Sequence, residues 1–266
     1  MNDEAKKALA LHWPSGGCGG SIPTPVHRNV GAVSTTRCGG SSSAPFDSFN
    51  LGLHVGDDPG AVEQNRRRFM QFVGDDVQMC WLSQVHGTDV VRAEDVAESE
   101  GAVEADACVS RTPSLGCVVL TADCLPVLLS DRGGTVVAAA HAGWRGLAAG
   151  VLEATVRAMD ISPGELIAWL GPAIGADVFE VGEEVREQFV SNDAGADGHF
   201  QPSPFNPDDR WVADLVGLAR RRLRCEGVEA VFAHGGCTYS DDERFFSYRR
   251  DGTTGRMATA IWLRGE

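Results

Sequence analysis

Three residues of this 266-residue sequence carry a metal-binding side chain at the end of an apolar run: His86, Cys124 and His141. Each has a glycine or a proline within two residues, so each is expected at a turn. Two neutral imidazoles and one thiolate are a suitable ligand set for zinc, and a structural zinc site takes a fourth protein ligand. The three residues are also far apart in the sequence, unlike the ligands of zinc fingers. The pattern therefore predicts an open, catalytic zinc site.

The same residues allow other interpretations. Cys124 and a histidine base would form a nucleophilic pair. Asp106 or Asp123 could orient an imidazole, although an aspartate that follows a strand caps a turn equally often. A lone histidine or cysteine is most often structural, and spacing alone does not separate these alternatives.

Apolar, β-branched runs precede the three residues and should position them. Strands are predicted at 79–85, 115–120 and 135–140. In α/β folds, ligands collect outside strand ends, where loops meet and side chains converge. The pattern therefore places all three side chains where strands end.

The rest of the chain reads as one continuous domain from residue 29 to 266, after a disordered tail of residues 1–28. Apolar spacing predicts helices at 61–72, 146–159, 180–189 and 212–226, further strands at 166–170, 230–233 and 257–263, and a long loop at 191–210. Strands and helices mix without strict alternation. This order predicts an α/β (α+β) sandwich with mixed β-sheets flanked by helices.

The charge and the cysteines limit the partners and the compartment. A formal net charge of -14 disfavours nucleic acid and anionic membranes as partners. With no secretory leader and no membrane span in the sequence, the eight cysteines are expected to be reduced in a cytoplasmic protein. A chain of this length buries a core without a metal, so a metal would serve function. A monomer is the default expectation.

Six segments, in order between residues 32 and 263, resemble motifs of the YfiH family of laccase-domain proteins. They are Val-Ser-Thr-Thr-Arg-Cys-Gly-Gly-Ser (33–41), Phe-Asn-Leu-Gly (49–52), Gln-Val-His-Gly (84–87), Thr-Ala-Asp-Cys-Leu-Pro-Val (121–127), His-Ala-Gly-Trp-Arg-Gly (141–146) and Phe-Ser-Tyr-Arg-Arg (246–250). Members were formerly labelled multicopper polyphenol oxidases and are now described as purine nucleoside phosphorylases.

The resemblance implies a function and a fold. It implies phosphorolysis of adenosine, inosine and methylthioadenosine, with adenosine deamination at the same site. It also implies that His86, Cys124 and His141 bind catalytic zinc, with copper as the alternative metal. The implied fold is a YfiH-like α/β sandwich related to cytotoxic necrotizing factor toxins. Those toxins use a Cys–His pair, which keeps the thiol-nucleophile interpretation open.

The expected partners are therefore purine nucleosides and phosphate. Arg145 is the first candidate for phosphate, because it directly precedes a helix whose N-terminal amides favour anions. The other predicted substrate contacts are Asn50, Gln84, Arg249 and Arg250. In the glycine-rich terminal segment, Arg249, Arg250 and Arg256 are the second candidates for phosphate, unless they pair with nearby aspartates. The family often has Tyr in place of Phe179 and Asn in place of Ala219, which bears on substrate preference.

Three rival functions remain open from the residues. A Cys–His hydrolase or amidase acting on a cell-wall precursor or peptide would form a covalent adduct on Cys124. A copper polyphenol oxidase needs clustered histidine ligands, whereas the seven histidines here include no His-x-His pair. A zinc-binding module without enzymatic activity would lose stability when zinc is removed, and it would show no turnover with or without zinc.

Overall fold

The computed structural model describes residues 9–13, 27–74, 76–99 and 101–265. Its strands are β1 (Leu9–Trp13), β2 (Val30–Thr35), β3 (Gln78–Cys80), β4 (Leu82–Ser83), β5 (Val90–Arg92), β6 (Val103–Glu104), β7 (Ala107–Ser110), β8 (Leu115–Thr121), β9 (Leu125–Asp131), β10 (Val137–Ala142), β11 (Leu166–Leu170), β12 (Glu180–Val181), β13 (Phe200–Pro202), β14 (Trp211–Ala213), β15 (Ala230–Ala233) and β16 (Met257–Leu263). Its α-helices are α1 (Pro59–Val73), α2 (Ala93–Ala97), α3 (Trp144–Ala149), α4 (Val151–Ala158), α5 (Glu183–Val190), α6 (Leu215–Cys225) and α7 (Tyr248–Asp251). None of these helices has the length and hydrophobicity that crossing a membrane requires.

Two mixed sheets form the centre of the fold. The first has the strand order β1-β2-β16-β8-β3 and the second β15-β11-β9-β10-β7-β5. Most neighbouring strands are antiparallel, whereas β3–β8, β11–β15 and β5–β7 are parallel. Two smaller sheets, β12-β14-β13 and β4-β6, lie outside them.

Alternating side chains show how the layers pack. In β8, Cys117 and Val119 belong to the core between the two large sheets, whereas Val118 and Leu120 pack in the core that contains Phe69 of α1. In β10, Val137 and Ala139 share the inter-sheet core, and the alternating Ala138 and Ala140 join the core with α4 and α6. Both faces of these strands are therefore covered, which explains their continuous apolar runs. The predicted α/β sandwich with helices on the outside is confirmed.

Two predicted helices have different bounds in the structure. One is interrupted at a glycine, and the first residues of the other form a strand. The helix predicted at 146–159 is divided into α3 and α4, because Gly150 adopts a left-handed conformation with φ 104°. The helix predicted at 212–226 begins only at Leu215. Residues Trp211–Ala213 instead form the middle strand of the small sheet, and the carboxylate of Asp214 caps α6 by accepting a bond from Gly217 N at 2.8 Å.

The predicted helix at 180–189 is shortened in the same way, since its first residues form β12 and α5 begins at Glu183. The long loop predicted at 191–210 contains a 3-10 helix, Ala194–His199, and the strand β13. The strand predicted at 79–85 is two short strands, because β3 pairs with β8 and β4 with β6. In each of these segments, pairing with a strand elsewhere in the chain determines which residues form a strand, and a local sequence pattern does not contain that information.

The predicted disordered tail is wrong for five of its residues. Leu9–Trp13 forms β1, which pairs with β2 and satisfies the backbone groups of that edge. Residues 1–8 and 14–26 lie outside the described residues.

Candidate metal centre

The three predicted ligands converge. One ligand atom from each of His86, Cys124 and His141 lies within 4.8 Å of the others. The Nε2 atom of His86 is 3.9 Å from Cys124 Sγ, and the two imidazole ring centroids are 4.8 Å apart in an edge-to-face arrangement. His86 is exposed, Cys124 half-buried and His141 buried. The predicted convergence at strand ends is confirmed: His86 follows β4, Cys124 directly precedes β9, and His141 is near the end of β10.

Two backbone positions beside the ligands are unusual. His86 has φ 60° and Asp123 has φ 97°, in the left-handed region that residues other than glycine adopt uncommonly. Asp123 is held there from both sides, since its carboxylate accepts bonds from Thr238 Oγ1 at 2.7 Å and Arg249 N at 2.7 Å. Such strain is found most often at functional sites.

A buried carboxylate fixes two of the three ligands. Asp106 is fully buried, and its oxygens accept bonds from the backbone N–H groups of Val85 at 3.1 Å, His86 at 3.0 Å and Gly87 at 2.6 Å. The same carboxylate lies 2.8 Å from Nδ1 of His141. Although burial raises the pKa of Asp106, these bonds lower it below its usual range. Asp106 therefore orients His141 and the His86 loop together, as carboxylates do behind histidine ligands of metals.

The ligand atoms also influence each other's protonation. Burial raises the pKa of the Cys124 thiol, but the adjacent His141 and His86 outweigh burial and lower it to about 6. Burial lowers the pKa of His141, but Cys124 and Asp106 together raise it to about 9. The thiol thus favours the thiolate form, which is the form that binds a metal or acts as a nucleophile.

Two glycines of the His-Ala-Gly-Trp-Arg-Gly motif make room for this convergence. A Cβ atom on Gly143 would lie 2.9 Å from His86 Cδ2 and 3.0 Å from Cys124 Sγ. A Cβ atom on Gly146 would lie 2.8 Å from the carbonyl oxygen of Gly87. The start of α3 therefore approaches the ligands closely only because neither position has a side chain.

This donor set fits a transition metal. The Nδ1 atom of His141 is engaged by Asp106, which leaves Nε2 as the ligand atom. Cys124 contributes a thiolate and His86 an exposed imidazole. Two nitrogens, one sulfur and an open fourth side match a catalytic zinc site, and nitrogen and sulfur ligands also suit copper.

The three ligands lie in the wall of a cavity of about 730 Å³. Trp144, Ile174, Phe179 and Tyr248 give it apolar and aromatic lining. Among the described residues that line it, Asp123 is the one carboxylate, and it is already bonded to Thr238 and Arg249. The volume and the apolar lining suit a small organic ligand.

The predicted substrate contacts divide into two groups. Gln84, Arg145 and Arg249 line the cavity. Arg145 is exposed and stacks over the Trp144 ring at 4.4 Å, and Arg249 donates to Glu180 O at 2.8 Å. Gln84 forms two bonds with the backbone of Leu120, at 2.7 and 2.9 Å, so its amide holds the wall of the cavity.

Asn50 and Arg250 do not line the cavity. Asn50 is fully buried, and its amide bonds to Gly52, Asp57 and the backbone N–H of Arg256. The Arg250 guanidinium donates to the carbonyl oxygens of residues 238, 239 and 245 and pairs with Asp251. Both therefore support the loops behind the cavity, where their polar groups are already paired.

Sequence reasoning gave too little weight to other lining residues. His54 and Tyr248 line the cavity, and neither was predicted to touch substrate. Arg256, a secondary candidate in the sequence, lines it as well. Of the two positions that differ from the family pattern, Phe179 faces the cavity, whereas Ala219 is buried in α6. A single histidine in the loop before α1 gave no local signal.

Known proteins resemble this chain along almost all of its length. The sequence model of a family described as multi-copper polyphenol oxidoreductase laccase matches residues 31–264. A Pseudomonas aeruginosa protein named purine nucleoside phosphorylase is 54% identical over 239 residues, which cover 90% of this chain and 96% of that protein. The Escherichia coli protein named purine nucleoside phosphorylase YfiH is 52% identical over 239 residues, with coverage of 90% and 96%.

Solved structures agree with the fold. A Neisseria meningitidis protein matches with a TM-score of 0.87 at 49% identity, over 91% of this chain and 97% of that protein. The YfiH protein of Bacillus licheniformis matches with a TM-score of 0.80 at 30% identity, over 88% of this chain and 93% of that protein. Fold and sequence are therefore shared with the same group of proteins.

Proposed function

This chain belongs to the multi-copper polyphenol oxidoreductase laccase family that includes YfiH, and from that premise we propose that it is a metal-dependent purine nucleoside phosphorylase. Its substrates are adenosine, inosine and methylthioadenosine, each with inorganic phosphate. The observation that carries the proposal is the convergence of His86, Cys124 and His141 in the wall of a cavity of about 730 Å³ that also has cationic and aromatic lining. The names of the close relatives support it.

The reaction balances without a further reactant. An oxygen of hydrogen phosphate forms a bond to C1′ of the ribose while the bond between C1′ and the purine nitrogen breaks. The electron pair of that bond stays on the base, and the base takes the proton that phosphate loses. The products are the free purine and ribose 1-phosphate. The chain must therefore orient an anion against C1′ and keep competing water away from it.

His86, Cys124 and His141 would hold the metal, which we propose to be zinc, with copper as the alternative. Zinc supplies Lewis-acid chemistry when bound. Asp106 keeps the His141 ring and the His86 loop in place, so the ligand geometry exists before substrate enters. Trp144, Phe179 and Tyr248 offer aromatic surface for the purine ring.

Adenosine deamination at the same site is the secondary activity that we propose. Zinc deaminases of nucleobases use a glutamate as proton carrier. No glutamate is among the described residues that line this cavity, and Asp123 is occupied by Thr238 and Arg249. We therefore expect deamination to be slower than phosphorolysis.

The protein should act on free nucleosides in the cytoplasm, as a monomer whose residues 29–266 form one catalytic domain. The net charge of -14 supports the exclusion of nucleic acid as substrate.

The test combines metal content with product analysis. The purified protein is assayed for bound metal per chain and incubated with inosine or adenosine, with and without phosphate. Chromatography should detect hypoxanthine and ribose 1-phosphate from inosine only when phosphate is present. The Cys124→Ala variant should lose both metal and turnover. Full activity and full metal content in that variant would refute the ligand assignment.

One observation favours a second candidate, a Cys–His hydrolase or amidase acting on a peptide or cell-wall precursor. Cys124, His141 and Asp106 have the order of groups that a thiol nucleophile, its base and an orienting acid require. This function predicts activity that survives chelation and a covalent adduct on Cys124. Phosphorolysis predicts neither.

A further inference from the structure

Arg256 is the most firmly positioned of the three arginines that line the cavity. Arg145 and Arg249 are exposed, whereas Arg256 is half-buried. Burial lowers the pKa of Arg256, and the nearby Cys124 and Asp123 only partly oppose this. Arg256 therefore brings a partly desolvated positive charge into the cavity on the side of the ligand cluster.

The Phe-Asn-Leu-Gly segment forms the support for this arginine. The backbone N–H of Arg256 donates to Asn50 Oδ1 at 2.9 Å, and its carbonyl oxygen accepts from Leu51 N at 3.1 Å. A Cβ atom on Gly52 would lie 2.9 Å from Arg256 Cγ, so the aliphatic part of the side chain packs directly on the Gly52 backbone. The chain thus fixes both the backbone and the stem of Arg256.

The guanidinium is also anchored, but only in part. Its Nη1 donates to the carbonyl oxygens of Thr254 and Gly255, both at 3.0 Å. Its Nε and Nη2 have no hydrogen-bond partner in the described part of the chain, where no carboxylate forms an ion pair with Arg256 either. A guanidinium has five N–H donors, and two parallel donors match two oxygens of a phosphate. The unpaired edge of Arg256 is therefore suited to an oxyanion.

A second arginine and a histidine lie near the same position. Arg66 donates to Leu51 O at 3.0 Å, beside the segment that supports Arg256. His54 lines the cavity, and partial burial together with Arg256 and Arg66 lowers its pKa, which favours the neutral imidazole with one N–H donor. Burial outweighs the attraction of Cys124 and Asp123 for Arg256, so the partly buried cation is unfavourable, and an anion that binds it relieves the cost.

We propose that Arg256 and His54 bind the inorganic phosphate that attacks the nucleoside, with Arg66 adding positive charge behind them. The inference rests on the proposed function and deepens it, because it replaces Arg145 as the phosphate ligand. The Arg256 fork takes two phosphate oxygens, and His54 bonds to a third. The purine then contacts the aromatic side of the cavity, at Trp144 and Phe179.

The test measures anion binding separately from turnover. Thermal unfolding of the metal-loaded protein is followed with increasing inorganic phosphate against chloride at equal ionic strength. Phosphate should raise the Tm of wild type, and Arg256→Gln should abolish this shift. Arg67→Gln removes the same charge from an exposed position on α1 and should keep the full shift. Steady-state kinetics should give Arg256→Gln a KM for phosphate raised on the order of 10- to 100-fold, with little change in the KM for inosine.

Gly52→Ala provides a second variant in case Arg256→Gln does not fold. It keeps every arginine but displaces the stem of Arg256, so the phosphate shift should shrink. A shift that persists in Arg256→Gln, one that is lost in Arg145→Gln instead, or no shift in wild type would overturn the proposal. If wild type binds phosphate through Arg256 but releases no purine, the anion site stands and the proposed function fails. If purine is released with an unchanged KM for phosphate in Arg256→Gln, the function stands and the site fails.

Discussion

Replacing Asp106 with asparagine should weaken metal binding, because Asp106 supports both His141 and the His86 loop. Asp106 is fully buried, and its two oxygens accept four bonds. One oxygen accepts from His86 N and His141 Nδ1, the other from Val85 N and Gly87 N. An asparagine side chain has only one acceptor oxygen, so its amide group would face two N–H donors whichever way it turns.

The size of the effect follows from those bonds. Two bonds to a charged acceptor are lost, each worth about 1.5–3 kcal/mol, so Asp106→Asn should lose roughly 3 to 6 kcal/mol of unfolding free energy. Domains of this kind have about 5–15 kcal/mol, so the variant should still fold at low temperature. Because His141 and the His86 loop lose their common support, metal affinity should fall on the order of 10- to 100-fold.

The assays are urea unfolding for stability and competition with a chelator for metal affinity. Asp131→Asn is the control: Asp131 is also a buried carboxylate, and it accepts bonds from Thr135 and Val136 in the turn between β9 and β10. This control removes a buried carboxylate charge away from the three ligands, so it should leave metal affinity unchanged. If Asp106→Asn bound metal as tightly as wild type, the positioning role of Asp106 would be refuted.

Three further predictions concern Gly143, Cys124 and the start of α1. Gly143→Ala places a Cβ within 3.0 Å of two ligand side chains. Metal affinity, measured by competition with a chelator, should therefore fall, while the circular dichroism spectrum should stay that of wild type. Unchanged affinity would show that the ligands can move apart. In metal-free protein, Cys124 should react with iodoacetamide down to a pH of about 6, because neighbouring imidazoles outweigh burial and stabilise its thiolate. Peptide mass spectrometry gives that pH profile, and a half-maximal rate near the ordinary thiol pKa of ~8.5 would contradict it. Asp58→Ala removes the N-cap of α1, where Asp58 Oδ1 accepts a bond from Gly60 N at 2.9 Å. The unfolding free energy should fall by about 1 kcal/mol, with unchanged turnover. An unchanged unfolding free energy would show that the cap does not stabilise the protein.

The cluster of His86, Cys124 and His141 was predictable from the sequence because each residue stands at the end of an apolar run. His141 lies in β10 and Cys124 directly precedes β9, and these neighbouring antiparallel strands bring the two residues to one end of the sheet. Residue type and strand position predicted that they converge, but did not separate a metal site from a Cys–His pair. The family motifs added the expected activity, which no local pattern contains.

Other features depended on contacts between distant segments. Arg256 is supported by Asn50, Leu51 and Gly52, about two hundred positions earlier, as its bond with Asn50 shows. The sequence ranked Arg145 first because a helix was predicted to begin just after it, at residue 146. In the structure Arg145 lies in the first turn of α3 and is exposed over Trp144. Asn50 lies in a family-like motif and was predicted to contact substrate, although its amide bonds to Gly52 and Asp57 behind the cavity. Local patterns thus predicted residues of the site, but not the distant segments that position them.

The most direct test of phosphorolysis follows the oxygen atoms of phosphate. Metal-loaded protein is incubated with inosine and phosphate labelled with heavy oxygen, and the sugar product is analysed by mass spectrometry. Because a phosphate oxygen forms the new bond to C1′, ribose 1-phosphate should retain every labelled oxygen and should equal hypoxanthine in amount. Release of free ribose, or no release of hypoxanthine by metal-loaded protein, would contradict the assignment of this protein as a purine nucleoside phosphorylase.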